Sequence, residues 1–177
     1  MISPQQRRKA RGRAVEFLFG LKFTRYDWRE CVVEFFDTFA TKPAVQEYAE
    51  SLIVGVKTRT AELDKHIDAS LQNWTPDRVG RIERNVLRIA LFEMIYGDNV
   101  PVKVAINEAI EVAKSYGSDD SPGFVNAVLD RLKDRELEPC EANEYPDQPE
   151  VSEDTQEQEE VVEAAEVDTD TSVENSD

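Results

Sequence analysis

Apolar side chains recur every three or four residues through most of the first 136 positions, a spacing that places them along one face of successive α-helices. Ala14, Phe17, Leu18 and Leu21 form the first such stripe. The segment 79–94 is apolar over a wider arc, so its helix should lie near the centre. No alternating strand pattern competes. The pattern predicts an all-α bundle of about seven helices.

The predicted helix starts carry capping signals. Ser3, Thr75 and Ser121 each place a hydroxyl directly before a proline, which is typical of a helix whose first residue is that proline. Gln6 follows Ser3 at the spacing of a capping box, in which two side chains bond reciprocally to the backbone. These signals predict where three of the helices begin.

Charge divides the chain into two parts. All 21 lysines and arginines lie in residues 1–136, where they are balanced by 21 acids, whereas residues 137–177 hold 16 acids, three prolines and no base. A segment with so much charge and so little apolar surface does not fold alone. We predict a helical domain over 1–136 and a disordered acidic tail over 137–177. The tail serves either solubility or electrostatic competition with a ligand for basic residues.

Composition argues against several classes of protein. Two cysteines and one histidine are too few for a disulfide framework or a Cys- or His-based metal site. The seven glycines form none of the common phosphate-binding loops, and no apolar run approaches the length of a membrane span. A secretory signal is not expected. We therefore expect no catalytic residue, no metal, no cofactor, no membrane association and a cytoplasmic location.

A cluster of positive charge opens the first predicted helix. Arg7, Arg8, Lys9, Arg11 and Arg13 occur within seven positions and precede the first acid. Cations in the first turns of a helix oppose its dipole and repel each other, and such locally unfavourable segments are typical of functional sites. We expect the cluster to extend beyond the core, with its guanidinium groups offered to phosphate. The alternative is a solvated helix end, or one paired with the acidic tail.

Several segments of the second half have a more specific character. They read RIERNVLRIALFEM at 81–94, DNVPVKVAINEAIEVAK at 98–114 and FVNAVLD at 124–130. Together with Ala10-Arg11, Ala14-Val15 and Leu18-Phe19, they closely resemble the NusB family of transcription antitermination factors. The resemblance covers about residues 5–135.

The resemblance implies a fold and a role. The fold is seven helices in two helical halves. The role is to bind the boxA sequence of ribosomal RNA leader transcripts together with NusE, a small-subunit ribosomal protein. This assembly helps transcribing RNA polymerase to read through terminators, without catalysis. The resemblance is compatible with either a monomer or a homodimer.

The resemblance also implies site residues. The RNA surface maps to the first helix and to the region around the start of the last helix, at Arg7, Arg8, Lys9, Arg11, Tyr116, Asp120 and Phe124. The NusE-facing surface maps to Phe19, Asp77 and Glu83. Arginines would hold phosphates, an aromatic ring would stack on a base, and acids would steer a basic partner.

Other interpretations of the same residues stay open. Phe124 begins an apolar stripe, which apart from the resemblance favours a core residue, and Tyr116 could simply shield a helix end. Glu83 could pair with Arg84 or Arg88 on its own helix. At the level of the whole chain, the alternatives are a protein-interaction scaffold without RNA, and a detached module like the N-terminal region of some RNA methyltransferases.

Overall fold

Seven helices make up the regular structure of the described part of the chain. The computed structural model describes residues 2–21, 26–71, 79–97, 100–135 and 137. Its helices are α1 (Pro4–Gly20), α2 (Trp28–Thr38), α3 (Pro43–Lys57), α4 (Thr60–Ser70), α5 (Arg81–Tyr96), α6 (Val102–Tyr116) and α7 (Ser121–Leu132). Within these ranges there is no strand, and the all-α prediction is confirmed.

The start of α1 is capped as predicted. Ser3 is the N-cap residue, and Pro4 occupies the first turn. The Ser3 hydroxyl accepts from the Gln6 amide at 3.3 Å, while the Ser3 amide donates to Oε1 of Gln6 at 2.9 Å. The capping box fixes the helix start immediately before the basic residues.

The start of α7 differs from the prediction. Ser121 is the first residue of the helix and Asp120 is the N-cap residue, with no side-chain capping bond. The Ser121 hydroxyl instead accepts from the Ser118 amide at 2.8 Å and faces the preceding loop. The predicted hydroxyl is therefore present, but it organises the α6–α7 loop rather than the helix end.

Helix α5 lies at the centre, as its wide apolar arc predicted. It packs against α1, α3, α4, α6 and α7. Leu87 and Leu91 have no exposed surface, and Val86, Ile89 and Ala90 are nearly as buried. The closest-packed groups are α1 with α3, and α5 with α6 and α7. Because α5 also packs against α1 and α3, it connects the two groups and supports the surface that α1 and α6 share.

Some predictions fall outside the described residues. They concern Thr75, Asp77 and the acidic tail beyond Leu137. Leu137 itself is partly buried against the core. None of the described helices has the length and hydropathy of a membrane-spanning segment.

Candidate nucleic-acid interface

Arg11 lies inside the protein, and the expectation that it extends beyond the core is wrong. Its side chain is only 3% exposed. Nε donates to Oε2 of Glu93 at 2.7 Å and Nη2 donates to Oε1 at 2.9 Å, a two-bond arrangement between planar groups. Nη1 also lies 3.3 Å from Oε2 of Glu108. Burial is tolerated because the guanidinium charge is compensated within the core.

A buried network surrounds this pair. The Tyr48 hydroxyl donates to Oε1 of Glu93, so α1, α3 and α5 meet at one carboxylate. Burial disfavours the charged form of Arg11, but the hydrogen bonds that Arg11 donates to Glu93 and the negative charges nearby outweigh burial and raise the Arg11 pKa above its usual value. Burial, followed by the charge and hydrogen bond of Glu93, raises the pKa of Tyr48 to about 12. The network fixes the position of α1 on the core.

Arg8 is at the surface and is paired there. About half of its side chain is exposed (51%), and its guanidinium donates to both oxygens of Glu108, at 2.9 and 2.7 Å. Glu111 lies further away, 3.7 Å from Nη1. The hydrogen bond from Arg8 lowers the pKa of Glu108 and raises that of Arg8. Arg8 is therefore accessible to an anion that displaces a carboxylate.

Arg7 and Lys9 complete the exposed end of α1. The Arg7 guanidinium carbon lies 5.1 Å from the centre of the Tyr48 ring, a cation–π distance, and the residue is partly exposed. Lys9 is exposed. Among the described residues, neither side chain has a carboxylate partner within ion-pair distance. These three residues, Arg7, Arg8 and Lys9, are called the cationic end of α1 below.

Tyr116, at the end of α6, is held against α1. Its hydroxyl donates to Oε1 of Glu16 at 2.9 Å, and Arg13 pairs with the other oxygen of Glu16 at 2.6 Å. The contact needs Gly12, because a Cβ there would lie 2.5 Å from the Tyr116 hydroxyl oxygen. Burial and the bond to Glu16 raise the Tyr116 pKa to about 12. The ring is half-buried, so only part of it is available for stacking.

The loop after α6 presents Asp120 and Phe124 differently. Asp120 is exposed, whereas Phe124 is partly buried and packs against the core. The Phe124 amide donates to the Asp120 carbonyl oxygen at 3.1 Å in the first turn of α7. Asp120 thus presents its carboxylate at the surface, and Phe124 contributes to core packing while part of the residue remains exposed.

The predicted partner residues border one open groove of about 330 Å³. Its lining includes Phe19, Arg81, Glu83 and Tyr116. Phe19 is 37% exposed, and the Arg81 guanidinium carbon lies 5.9 Å from its ring centre. The structure therefore brings Phe19 and Glu83 together at one groove, and Tyr116 borders the same groove. Asp77 lies outside the described residues.

Glu83 does not pair with its helix neighbours. Its carboxylate accepts from the hydroxyl of Ser121 on α7. Arg84 and Arg88 pair instead with Asp64 on α4, at 3.5 and 2.6 Å. The alternative of a local Glu83 ion pair is thus replaced by a contact between α5 and α7.

Tyr48, Glu93 and Glu108 take part in the network around Arg11 but were not predicted from the sequence. Glu93 lies on the wide apolar arc of α5 and is 2% exposed. A carboxylate on such an arc needs a buried cation, and Arg11, like Arg7, lies on the side of α1 that carries Ala14. That combination was the available signal for the pair.

Solved structures share this arrangement of helices. T. maritima NusB matches with a TM-score of 0.65 at 35% identity, covering 75% of this chain and 92% of its own. A crystal structure of the antitermination factors NusB and NusE in complex with dsRNA matches with a TM-score of 0.64 at 24% identity, covering 73% and 97%. The fold is therefore that of the antitermination factors of this class.

Curated relatives agree. Transcription antitermination protein NusB of Bacillus pumilus is 38% identical over 128 residues, which is 72% of this chain and 95% of the relative. The protein of the same name in Anaeromyxobacter dehalogenans is 41% identical over 128 residues, 72% and 89% of the two chains. A sequence model of the NusB family matches residues 8–134. The chain belongs to the NusB family of transcription antitermination proteins.

Proposed function

We propose that this chain binds the single-stranded boxA sequence of ribosomal RNA leaders together with NusE, and so helps transcribing RNA polymerase to read through terminators. The observation that carries the RNA part is the cationic end of α1, where Arg8 and Lys9 are exposed and Arg7 is partly exposed beside a capped helix start. The role is binding rather than catalysis. It belongs in the cytoplasm, where these operons are transcribed.

The cationic end supplies the phosphate contacts. Arginine bonds phosphate through two parallel N–H groups, and lysine adds a point charge. Arg11 is assigned a positioning role instead, because its donors are bonded to Glu93 and Glu108 in the core. Three phosphate contacts on a single strand correspond to a log–log salt slope of about −2.

The α6–α7 region supplies the base contacts in this proposal. An exposed carboxylate at Asp120 accepts hydrogen bonds from base amino groups. Because the same negative charge repels phosphate, Asp120 favours recognition of the base sequence over non-specific binding to the RNA backbone. The accessible sides of Phe124 and Tyr116 provide stacking surfaces. Selectivity for boxA therefore depends on this region, and affinity depends mainly on α1.

The groove supplies the partner surface. Phe19 offers an exposed aromatic anchor, and Glu83 adds negative charge at the border. Such a surface suits NusE as a basic ribosomal protein, with Asp77 assigned to the same face by family resemblance. A protein-interaction scaffold without RNA uses this groove alone.

The test compares boxA RNA with a scrambled strand of equal length, with and without NusE, over a range of salt concentrations. We expect tighter binding to boxA, a slope near −2 and stronger binding with NusE. Arg8→Ala should flatten the slope by about 0.7, since one phosphate contact is lost. Lys65→Ala, on the exposed side of α4, is the matched control. Equal binding to both strands contradicts boxA recognition, and NusE binding without RNA binding favours the scaffold.

A further inference from the structure

Glu83 connects two parts of the surface that have separate roles in the proposed function. Its carboxylate lies at the border of the groove on α5, and it accepts from the hydroxyl of Ser121, the first residue of α7. Helix α7 and the loop before it carry Asp120 and Phe124. The partner groove and the base-reading region therefore share one hydrogen bond.

Ser121 is a buried junction rather than a surface hydroxyl. Only 2% of the residue is exposed. Its Oγ accepts from the Ser118 amide at 2.8 Å and lies 3.0 Å from the Ser118 hydroxyl. The Ser121 amide in turn donates to the Ser118 carbonyl oxygen at 3.1 Å. The Ser121 hydroxyl that donates to Glu83 is thus also the group that bonds to Ser118 at the start of the loop 118–120.

Two glycines leave the space for this arrangement. A Cβ at Gly80 would collide with the carboxylate of Glu83, and a Cβ at Gly117 would collide with the Ser121 hydroxyl. Glu83 therefore lies folded over its own helix start, with the carboxylate directed to α7 rather than outward. The loop geometry depends on a specific set of contacts between α5, α6 and α7.

We infer that Glu83 is a positioning residue for RNA recognition: through Ser121 it holds the α6–α7 loop in the conformation that presents Asp120 and Phe124 to bases. The inference rests on the proposed RNA-binding function and deepens it. Glu83 acts without touching the RNA. Its effect falls on the selection among sequences, whereas the phosphate contacts of α1 are made elsewhere.

Two properties of Glu83 can be separated by substitution. Positioning needs an acceptor for the Ser121 hydroxyl, which the amide oxygen of glutamine also provides. Attraction of a basic partner needs negative charge, which glutamine lacks. Glu83→Gln should therefore keep RNA selectivity and weaken NusE binding, while Glu83→Ala should lose both.

The experiment measures the ratio of Kd for scrambled RNA to Kd for boxA, without NusE, in the full chain. We expect Glu83→Ala and Ser121→Ala each to reduce this ratio about tenfold, the scale of one hydrogen bond to a charged group. The salt slope should not change. The double variant should be no worse than either single variant, because both remove the same contact. Glu34→Ala and Ser51→Ala, at exposed positions, control for charge and hydroxyl loss.

The outcomes separate the inference from the function on which it rests. If the unmodified chain binds both strands equally, the proposed function fails. If that chain discriminates and Glu83→Ala and Ser121→Ala discriminate equally well, the inference is overturned. Thermal melting identifies a variant that does not fold. If Glu83→Ala fails to fold, Glu83→Gln decides the case. Loss of RNA selectivity in Glu83→Gln while NusE binding is kept contradicts the positioning role.

Discussion

Arg8 and Arg11 lie less than one turn apart on α1 and both contact Glu108, yet their environments are opposite. Arg11 is enclosed with Glu93, whereas half of Arg8 is exposed. A buried pair is costly to break because one charge is left uncompensated, while an exposed pair exchanges easily with solvent or a ligand. The same residue type thus secures the helix at one position and is available for binding at the other.

Replacing Arg11 should therefore mainly reduce the stability of the fold, rather than remove a direct contact with RNA. We expect Arg11→Met to lower the free energy of unfolding by about 3–5 kcal/mol, because Glu93 is left buried without its cation. Adding Glu93→Leu to that variant should recover much of the loss. Urea denaturation measures both values. A cost below about 1 kcal/mol for the single change would contradict the buried pair.

Glu108 pairs with Arg8 in this structure, so under the proposed function it would compete with RNA for that side chain. We expect Glu108→Gln to strengthen RNA binding up to about fivefold at low salt, the equivalent of an exposed ion pair. Titration of labelled boxA RNA measures the change. Glu111→Gln is the matched control, because Glu111 is 3.7 Å from Arg8 and bonds mainly to Lys114 at 2.7 Å. Equal gains in both variants would indicate a general charge effect instead.

At the scale of helices, the sequence predicts features that depend on neighbouring residues but not contacts between residues far apart in the chain. Apolar spacing predicted the all-α fold and the central helix, and the capping box predicted the start of α1 at Ser3. Helical spacing puts Arg11 on the side of α1 that carries Ala14, but burial of Arg11 was not predicted. Its partner Glu93 is 82 positions away, and no local rule links two residues at that separation. The Glu83–Ser121 contact was missed for the same reason.

The contact between α1 and α6 through Tyr116 should make stability depend on alkaline pH. The pKa of Tyr116 is raised from 10.0 to about 12 in the fold, so the protonated phenol is favoured there. This contribution is complete below pH 10 and is lost as pH rises through about 12. We expect a smaller alkaline loss of unfolding free energy in Tyr116→Phe. Identical pH profiles for the two chains would show that the phenol is not held in this way.

At the scale of the whole molecule, charge is separated along the chain. Residues 1–136 are neutral overall, and residues 137–177 carry the entire net charge of −16. Helical pattern and charge separation were both accessible from composition and spacing alone. The distribution of cations between core and surface was not, because it depends on which carboxylates the fold brings to each arginine.

Deleting residues 138–177 tests what that charge does. If the tail serves solubility, the shortened chain should bind boxA RNA with unchanged affinity and precipitate at lower concentration. Tighter RNA binding that appears only at low salt would instead support competition for the cationic end of α1. Both measurements use the same two purified proteins.

The enclosed pair of Arg11 and Glu93 also constrains how this protein can diverge. A change at either position alone would leave an isolated charge in the interior, so we expect a chain with one substitution to be strongly destabilised. Descendants should accordingly keep both residues or exchange both, for example for two apolar side chains of similar volume. The exposed Arg8, in contrast, should be replaceable without loss of stability wherever RNA binding is no longer under selection.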